Sequence, residues 1–370
     1  MTDNTWPTVD TELIDDVTLY SAKLIIPVTG PVIIDGAVAI HGDRVVHVGK
    51  RRWVLEALKQ EMTSHGTIRE RHWDGVLTPG LVNAHTHLQY SGMGQVGQGT
   101  YDRFRAWELA FNEVYAEAQK TQPWKQWAED GARQMVESGT TAAADIVTDL
   151  DAAGALASQG MHGIAYWEVM GWHNAEWMEK GRTELIRQLR RMNEEQLPNL
   201  GISPHAPYTL ESEPFVDLPD IARQLNMRLH IHLAETPLEA GTYPPVLTTY
   251  SAADWSDHDW ESYRQLKEVG KGASAIQFVD QLGSLGPDVH IAHGVWANGE
   301  DRRILRQRGV GVALCPRSNR ITNTGKDAPV REYLEEGNLV SVGTDSLSST
   351  PTLDLLDDVS MLYDLAREQG

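Results

Sequence analysis

Residues Leu77–Leu88 read LTPGLVNAHTHL. The breaker pair Pro79-Gly80 closes one element and opens a short apolar run, Leu81-Val82-Asn83-Ala84, of the length of a buried strand. That run stops on His85-Thr86-His87. Residues i and i+2 of an extended chain project to the same side, so two imidazoles emerge together at a strand end, as a metal site requires.

Seven further apolar runs follow with amphipathic stretches between them, the pattern of a parallel sheet of βα units. The eight strands are expected at Gly80–Ala84, Thr140–Val147, Gly163–Val169, Leu200–Pro204, Arg228–Leu233, Val289–His293, Val310–Leu314 and Leu339–Gly343. Eight parallel strands point to an α/β fold closed as a (β/α)8 TIM-like barrel. Helices are expected at Trp107–Gln119, Glu184–Glu195 and Ala275–Leu282. Upstream, Val17–Ile26, Val32–Ile40 and Arg44–Val48 read as short strands separated by Pro31, Gly36 and Gly42, with a helical patch at Trp53–Leu58. The expected organisation is a small β-domain, a partial sandwich, over residues 1–70, the barrel over 71–350 and a C-terminal helix over 351–370. A polar, Pro-containing segment between Glu235 and Ala275, with Trp255 and Trp260, is expected to act as a lid.

A chain of 370 residues, 41% hydrophobic and 23% charged, has enough apolar surface for such a core. Its formal charge of −20, from 32 basic and 52 acidic residues, would repel a phosphate backbone, so nucleic acid is not an expected partner. Met1–Asp16 is polar and acidic, and no stretch reaches the length of an apolar span, so a soluble cytoplasmic protein is expected, with no membrane partner. Homo-oligomerisation is left open. The single cysteine, Cys315, excludes an intramolecular disulfide and any Cys-x-x-Cys metal site, and is read as a buried thiol. Metal ligands must come from His, Asp and Glu.

In a barrel of this kind functional side chains stand at C-terminal strand ends. Collecting polar residues that terminate the apolar runs gives His85 and His87, then His205, His232, His293 and Asp345. With LTPGLVNAHTHL, the segments SPHAPYTL (Ser203–Leu210), HIHLAET (His230–Thr236), HIAHG (His290–Gly294), CPRSN (Cys315–Asn319) and SVGTDS (Ser341–Ser346) resemble the amidohydrolase superfamily. The resemblance runs over almost the whole chain and is to the branch of aminoheterocycle deaminases and related chlorohydrolases.

That resemblance implies that His85, His87, His232 and Asp345 hold one divalent metal, zinc or alternatively iron, a donor set that suits either ion. Two-metal members use a carboxylated lysine at the fourth strand, and Leu197–Leu210 contains no lysine. Glu235 corresponds to the proton carrier, His293 to the residue that positions the attacking water, and Asp345 to a second proton acceptor as well as a ligand. His230 is expected below the ligands rather than among them.

Substrate contacts are expected from Gln89, His205, Arg317 and Asn319, Arg317 being equally suited to a structural ion pair. The implied reaction is hydrolytic deamination of an adenine moiety, as in adenosine, methylthioadenosine, S-adenosylhomocysteine or aminodeoxyfutalosine. Gln89, where close nucleoside deaminases carry Glu, keeps guanine-like, pterin-like and triazine rings open, with chloride displacement or amide hydrolysis as alternatives. A non-catalytic metal-binding barrel is the alternative from another class. Relatives continue beyond the position of Gly370 with strands that complete the small β-domain, which are expected to be short or missing here.

Overall fold

The structure, a computed structural model, describes residues 13–370 apart from 195–196, 198, 242–265 and 267–268. Trp255 and Trp260 lie outside the described residues. The chain divides into two compact units at Gly80/Leu81.

The first unit is one mixed sheet in the order β3-β2-β1-β4, made of β1 (Val17–Ile25), β2 (Ile33–His41), β3 (Arg44–Lys50) and β4 (Ile68–Leu77). β1 pairs antiparallel with β2, Leu19 opposite Ala39, and parallel with β4, Val17 opposite Ile68. Alternation places Val17, Leu19, Ala37 and Ala39 on one face, where Val54 and Leu58 of the helix Arg51–Glu61 cover them. At the sheet's edge Arg51 grips Glu70 through two parallel bonds of 2.7 and 2.6 Å, and the Ser21 hydroxyl donates to the same carboxylate at 2.6 Å. These donors hold the Glu70 carboxyl down at about 2. The strand β4 was not among the expected elements, and it crosses residue 70, where the small domain was expected to end.

The second unit contains eight parallel strands: β5 (Leu81–Thr86), β6 (Thr140–Val147), β7 (His162–Val169), β8 (Leu200–Pro204), β9 (Arg228–Leu233), β10 (Val289–His293), β11 (Gly311–Leu314) and β12 (Leu339–Val342). They are hydrogen-bonded in sequence order from β5 to β12. The seam between first and last is closed by side chains and one main-chain bond. The Asn83 amide donates to Thr344 Oγ1 at 2.7 Å and accepts from the Thr344 N–H at 3.2 Å, while the Asp345 N–H donates to the His85 carbonyl at 3.0 Å.

Helices cover the sheet's outer face, among them Trp124–Glu137, Arg182–Glu194, Ser212–Gln224 and Ala275–Gln281, whereas the helix Phe104–Thr121 stands over the strand ends. Outward-facing Leu229, Ile231, Leu233, Val289 and Ile291 are buried beneath such helices. Inward positions carry His230, His290 and Ser341, a polar layer in which Ser341 Oγ lies 3.1 Å from His290 Nε2. The helix Leu355–Glu368 is capped by the Asp354 side chain, which accepts from the Leu356 N–H at 3.0 Å. No helix among the described residues is long and apolar enough to cross a membrane.

Candidate metal centre

His85 and His87 leave β5 with the same parity and bring their rings to 5.0 Å. His232 at the end of β9 approaches from across the barrel, with Nε2 3.2 Å from His87 Nε2. Asp345 Oδ1, just past β12, lies 3.6 Å from Nε2 of both His85 and His87. Donors held about 2.0–2.1 Å from one tetrahedral ion are separated by about 3.3–3.4 Å, so this spacing fits a cation at their common focus. The burial pattern agrees. His85 Nε2 and His87 Nδ1 are fully buried polar atoms without a hydrogen-bond partner, and His85 Nε2 faces the centre. His85 belongs to two overlapping donor groups, one with His87 and Asp345, the other with His232 and His293.

Burial keeps these imidazoles neutral, the form that ligates. It pushes His85 and His232 well below the usual histidine range and His87 down to about 4, the Asp345 charge opposing the shift at His87. The candidate ligands are oriented from behind. His85 Nδ1 is 2.8 Å from His230 Nε2, and His232 Nδ1 is 3.2 Å from the His205 carbonyl. Asp345 Oδ2 accepts from Ser318 Oγ at 2.6 Å and from Ser349 Oγ at 3.0 Å, and the Ser346 N–H donates to Oδ1 at 2.8 Å. Gly343 is required beneath, because a Cβ there would stand 2.7 Å from His85 Cβ.

His293 shows how the backbone serves the site. Its register partner on β9 is Leu233, not an inward histidine, so alternation alone would turn it to the outer face. A left-handed backbone, φ 73°, breaks the alternation, and Asp345 (φ 60°) and Ala234 (φ 54°) share that conformation. Each costs roughly 1–3 kcal/mol for a residue with a side chain, and such strain concentrates at functional sites. His293 Nδ1 lies 3.0 Å from Asn319 Oδ1, which leaves Nε2 facing Glu235 Oε1 at 3.5 Å. The Tyr208 hydroxyl donates to the other Glu235 oxygen at 2.8 Å. Burial, with Asp345 adding to it, raises the Glu235 carboxyl above the usual carboxylate range, while His293 and the Tyr208 bond oppose the shift.

A cavity opens over this cluster. Its lining includes His87, His205, His232, Glu235 and Asp345, and its wall carries Phe104, Trp107 and Phe111, with neighbouring ring centroids 5.3 and 5.6 Å apart. His205 is held by Thr209 Oγ1 at 2.7 Å. Three of the expected substrate contacts sit elsewhere. The Gln89 amide closes instead on Thr148, accepting from its N–H at 2.8 Å and donating to its hydroxyl at 2.5 Å. Asn319 stands behind His293. Arg317 is bound instead to Asp358 at 2.7 and 2.9 Å, to Asp357 at 2.9 Å and to Thr352 Oγ1 at 2.8 Å, which anchors the last helix. Glu168 of β7, which lines the cavity, was not singled out from the sequence. It stands one residue before its strand's end, and a search for polar residues within the last two positions of each strand finds it.

A family model described as the amidohydrolase family matches residues 76–243 and 246–370. The 5-methylthioadenosine/S-adenosylhomocysteine deaminase of Thermococcus kodakarensis is 30% identical over 292 residues, 77% of this chain and 62% of that protein. The enzyme of the same name from Moorella thermoacetica is 30% identical over 366 residues, 93% of this chain and 73% of that protein. The chain thus spans less than two thirds of the first relative and nearly three quarters of the second. Among solved structures, an adenosine deaminase from Xanthomonas campestris with bound zinc superposes with a TM-score of 0.72 at 22% identity, covering 96% of this chain and 75% of that one. At that identity the likeness is one of fold.

Proposed function

This chain belongs to the amidohydrolase family, and from that premise we propose that it hydrolytically removes an amino group from an aminoheterocycle, the adenine moiety of a nucleoside, releasing ammonia. The observation that carries the reading is the buried Glu235 carboxyl, held by Tyr208 and facing His293 at 3.5 Å beside the ligand cluster. The 30% identity to two 5-methylthioadenosine/S-adenosylhomocysteine deaminases supports it.

His85, His87, His232 and Asp345 would hold a divalent ion, zinc or iron, which when bound supplies the Lewis acidity that makes water nucleophilic near neutral pH. The chain's own groups do the rest. Phe104, Trp107 and Phe111 give a planar ring an apolar face to lie against, and His205 offers an edge contact. Glu235 takes one proton of the attacking water and delivers it to a ring nitrogen, which makes the amino-bearing carbon more electrophilic. His293, oriented by Asn319, holds the water and the tetrahedral oxygen by hydrogen bonding. Asp345, steadied by Ser318 and Ser349, receives the second proton and passes it to the departing nitrogen. The C–O bond forms, the C–N bond breaks, and water's two hydrogens end on the ring nitrogen and the ammonia.

The test is incubation of the zinc-loaded chain with adenosine, methylthioadenosine, S-adenosylhomocysteine, aminodeoxyfutalosine, guanine and a chlorotriazine, following ammonia and chloride. Ammonia from an adenine nucleoside, lost in Glu235→Gln, is expected. Chloride without ammonia would establish the chlorohydrolase alternative. Neither product with one metal bound per chain would overturn the reading.

A further inference from the structure

Glu168 lies on the cavity wall with its side chain 3% exposed, and its Oε1 has no hydrogen-bond partner. Two imidazole nitrogens, His205 Nε2 and His232 Nδ1, stand 4.0 Å away, beyond hydrogen-bonding distance. Neither is poised to close the gap. His232 Nδ1 faces the His205 carbonyl at 3.2 Å, and His205 is fixed through its other nitrogen to Thr209. A buried carboxyl oxygen left unpaired forfeits the hydrogen bonds it would make to water, so its persistence asks for a partner that arrives from elsewhere.

The place indicates what arrives. Glu168 stands on the Nδ1 side of His232, whereas Nε2 of the same ring faces the metal centre. A ring stacked on the aromatic wall with its reacting carbon over the centre would present another edge to this carboxyl. A second cavity shares Tyr90, Phe111, Asn112, Glu168 and Met170 with the first, so Glu168 stands where the two meet. Among the described residues no Lys or Arg lines the first cavity, whereas Glu108, Glu168, Glu235 and Asp345 do. Such a lining disfavours an anionic group and favours hydrogen-bond donors.

We propose that Glu168 is a substrate-binding residue whose Oε1 accepts a hydrogen bond from an N–H or O–H on the edge of the aminoheterocycle remote from the reacting carbon. It thereby selects substrates that carry a donor there over isosteres that lack one. This rests on the aminoheterocycle reading of the site, and it goes beyond the metal ligands and the proton carrier.

The experiment is calorimetric binding to the zinc-loaded full chain and to its Glu168→Ala and Glu168→Gln variants, with zinc content and melting temperature measured alongside. The ligands are adenosine against 2′,3′-dideoxyadenosine, which tests a sugar O–H, and adenine against 9-methyladenine, which tests a ring N–H. Burial, with the Asp345 charge adding to it, raises the Glu168 carboxyl to about 8, so Glu168→Ala is expected to weaken the donor-bearing ligand about 3–10-fold, the range for a hydrogen bond to a neutral group. Glu168→Gln, which keeps an acceptor oxygen and the same shape, is expected to lose less. Removing the donor from the ligand should cost the same, with no additional loss when both are removed.

Equal affinity of wild type and both variants at full zinc occupancy would overturn the assignment, as would losses that add. A wild-type chain that binds none of the four ligands would also overturn it. Binding that depends on Glu168 without ammonia release would support the assignment and overturn the deaminase reading alone.

Discussion

Replacing His230 with phenylalanine should weaken zinc binding although His230 is not a ligand. For His85 to offer the Nε2 lone pair to an ion, its proton must sit on Nδ1, and that Nδ1–H then donates to His230 Nε2 at 2.8 Å. Both rings are fully buried, so water cannot replace the acceptor. Without metal, His85 is free to move its proton to the other nitrogen and avoid an unpaired donor, whereas with metal bound it is not. The penalty therefore falls mainly on the bound state. A net hydrogen bond contributes about 0.5–1.5 kcal/mol, and outer partners of ligating histidines typically affect metal affinity about 10–100-fold, so a loss of about tenfold or somewhat more is expected. Phenylalanine keeps the ring's volume, which separates this effect from a cavity. The assay is competition for zinc against a chromophoric chelator, with circular dichroism to verify folding. A folded His230→Phe variant that holds zinc within twofold of wild type would refute the argument that the second histidine fixes the first.

Three other outcomes are expected. Glu235→Gln should retain one metal per chain and lose about 10²–10⁴-fold in kcat, measured as ammonia release, because the amide cannot carry the proton. Arg317→Ala should lower the melting temperature by several degrees and leave KM unchanged, since it strands the fully buried Asp358; breaking such a pair costs about 3–5 kcal/mol. Glu70, held at about 2 against an ordinary 4.5, contributes stability that is fully present above pH 4.5 and lost as pH falls towards 2. The difference in unfolding free energy between wild type and Arg51→Ala, on the order of 1 kcal/mol for a partly exposed pair, should therefore vanish across that window in denaturant titrations.

The barrel was legible because its inner strands, such as Leu200–Pro204, Arg228–Leu233 and Val289–His293, are buried on both faces and so read as apolar runs. The expected run at Thr140–Val147 is the observed strand, and Arg228–Leu233 likewise. In contrast β4, IRERHWDGVL, is exposed over nearly all its length and carries charges on both faces, so no periodicity marks it. It is a strand because β1 offers it a free edge, which is a tertiary fact. The cluster of His85, His87, His232 and Asp345 was legible for a related reason: strand parity and strand ends locate side chains that the backbone must present. What lay behind these residues was not. That Gln89 closes on Thr148, that Asn319 serves His293 and that Arg317 ties down Asp358 depend on which side chain meets which across the fold. Type and position alone left each of the three equally suited to a substrate. His293 itself defies alternation, and only its left-handed backbone accounts for its place at the centre.

The seam between β5 and β12 joins residues far apart in the chain, Asn83 and Thr344 being 261 positions apart. Contacts of that separation pay the full entropy of loop closure before they contribute anything, so they form late as a chain folds. The candidate metal centre straddles this seam, with His85 and His87 at the end of the first strand and Asp345 beyond the last. Competence to hold an ion is therefore acquired only when the ring of strands shuts. A nascent or partly opened chain keeps every one of these side chains and still has no site, which couples the onset of chemistry to the completion of folding.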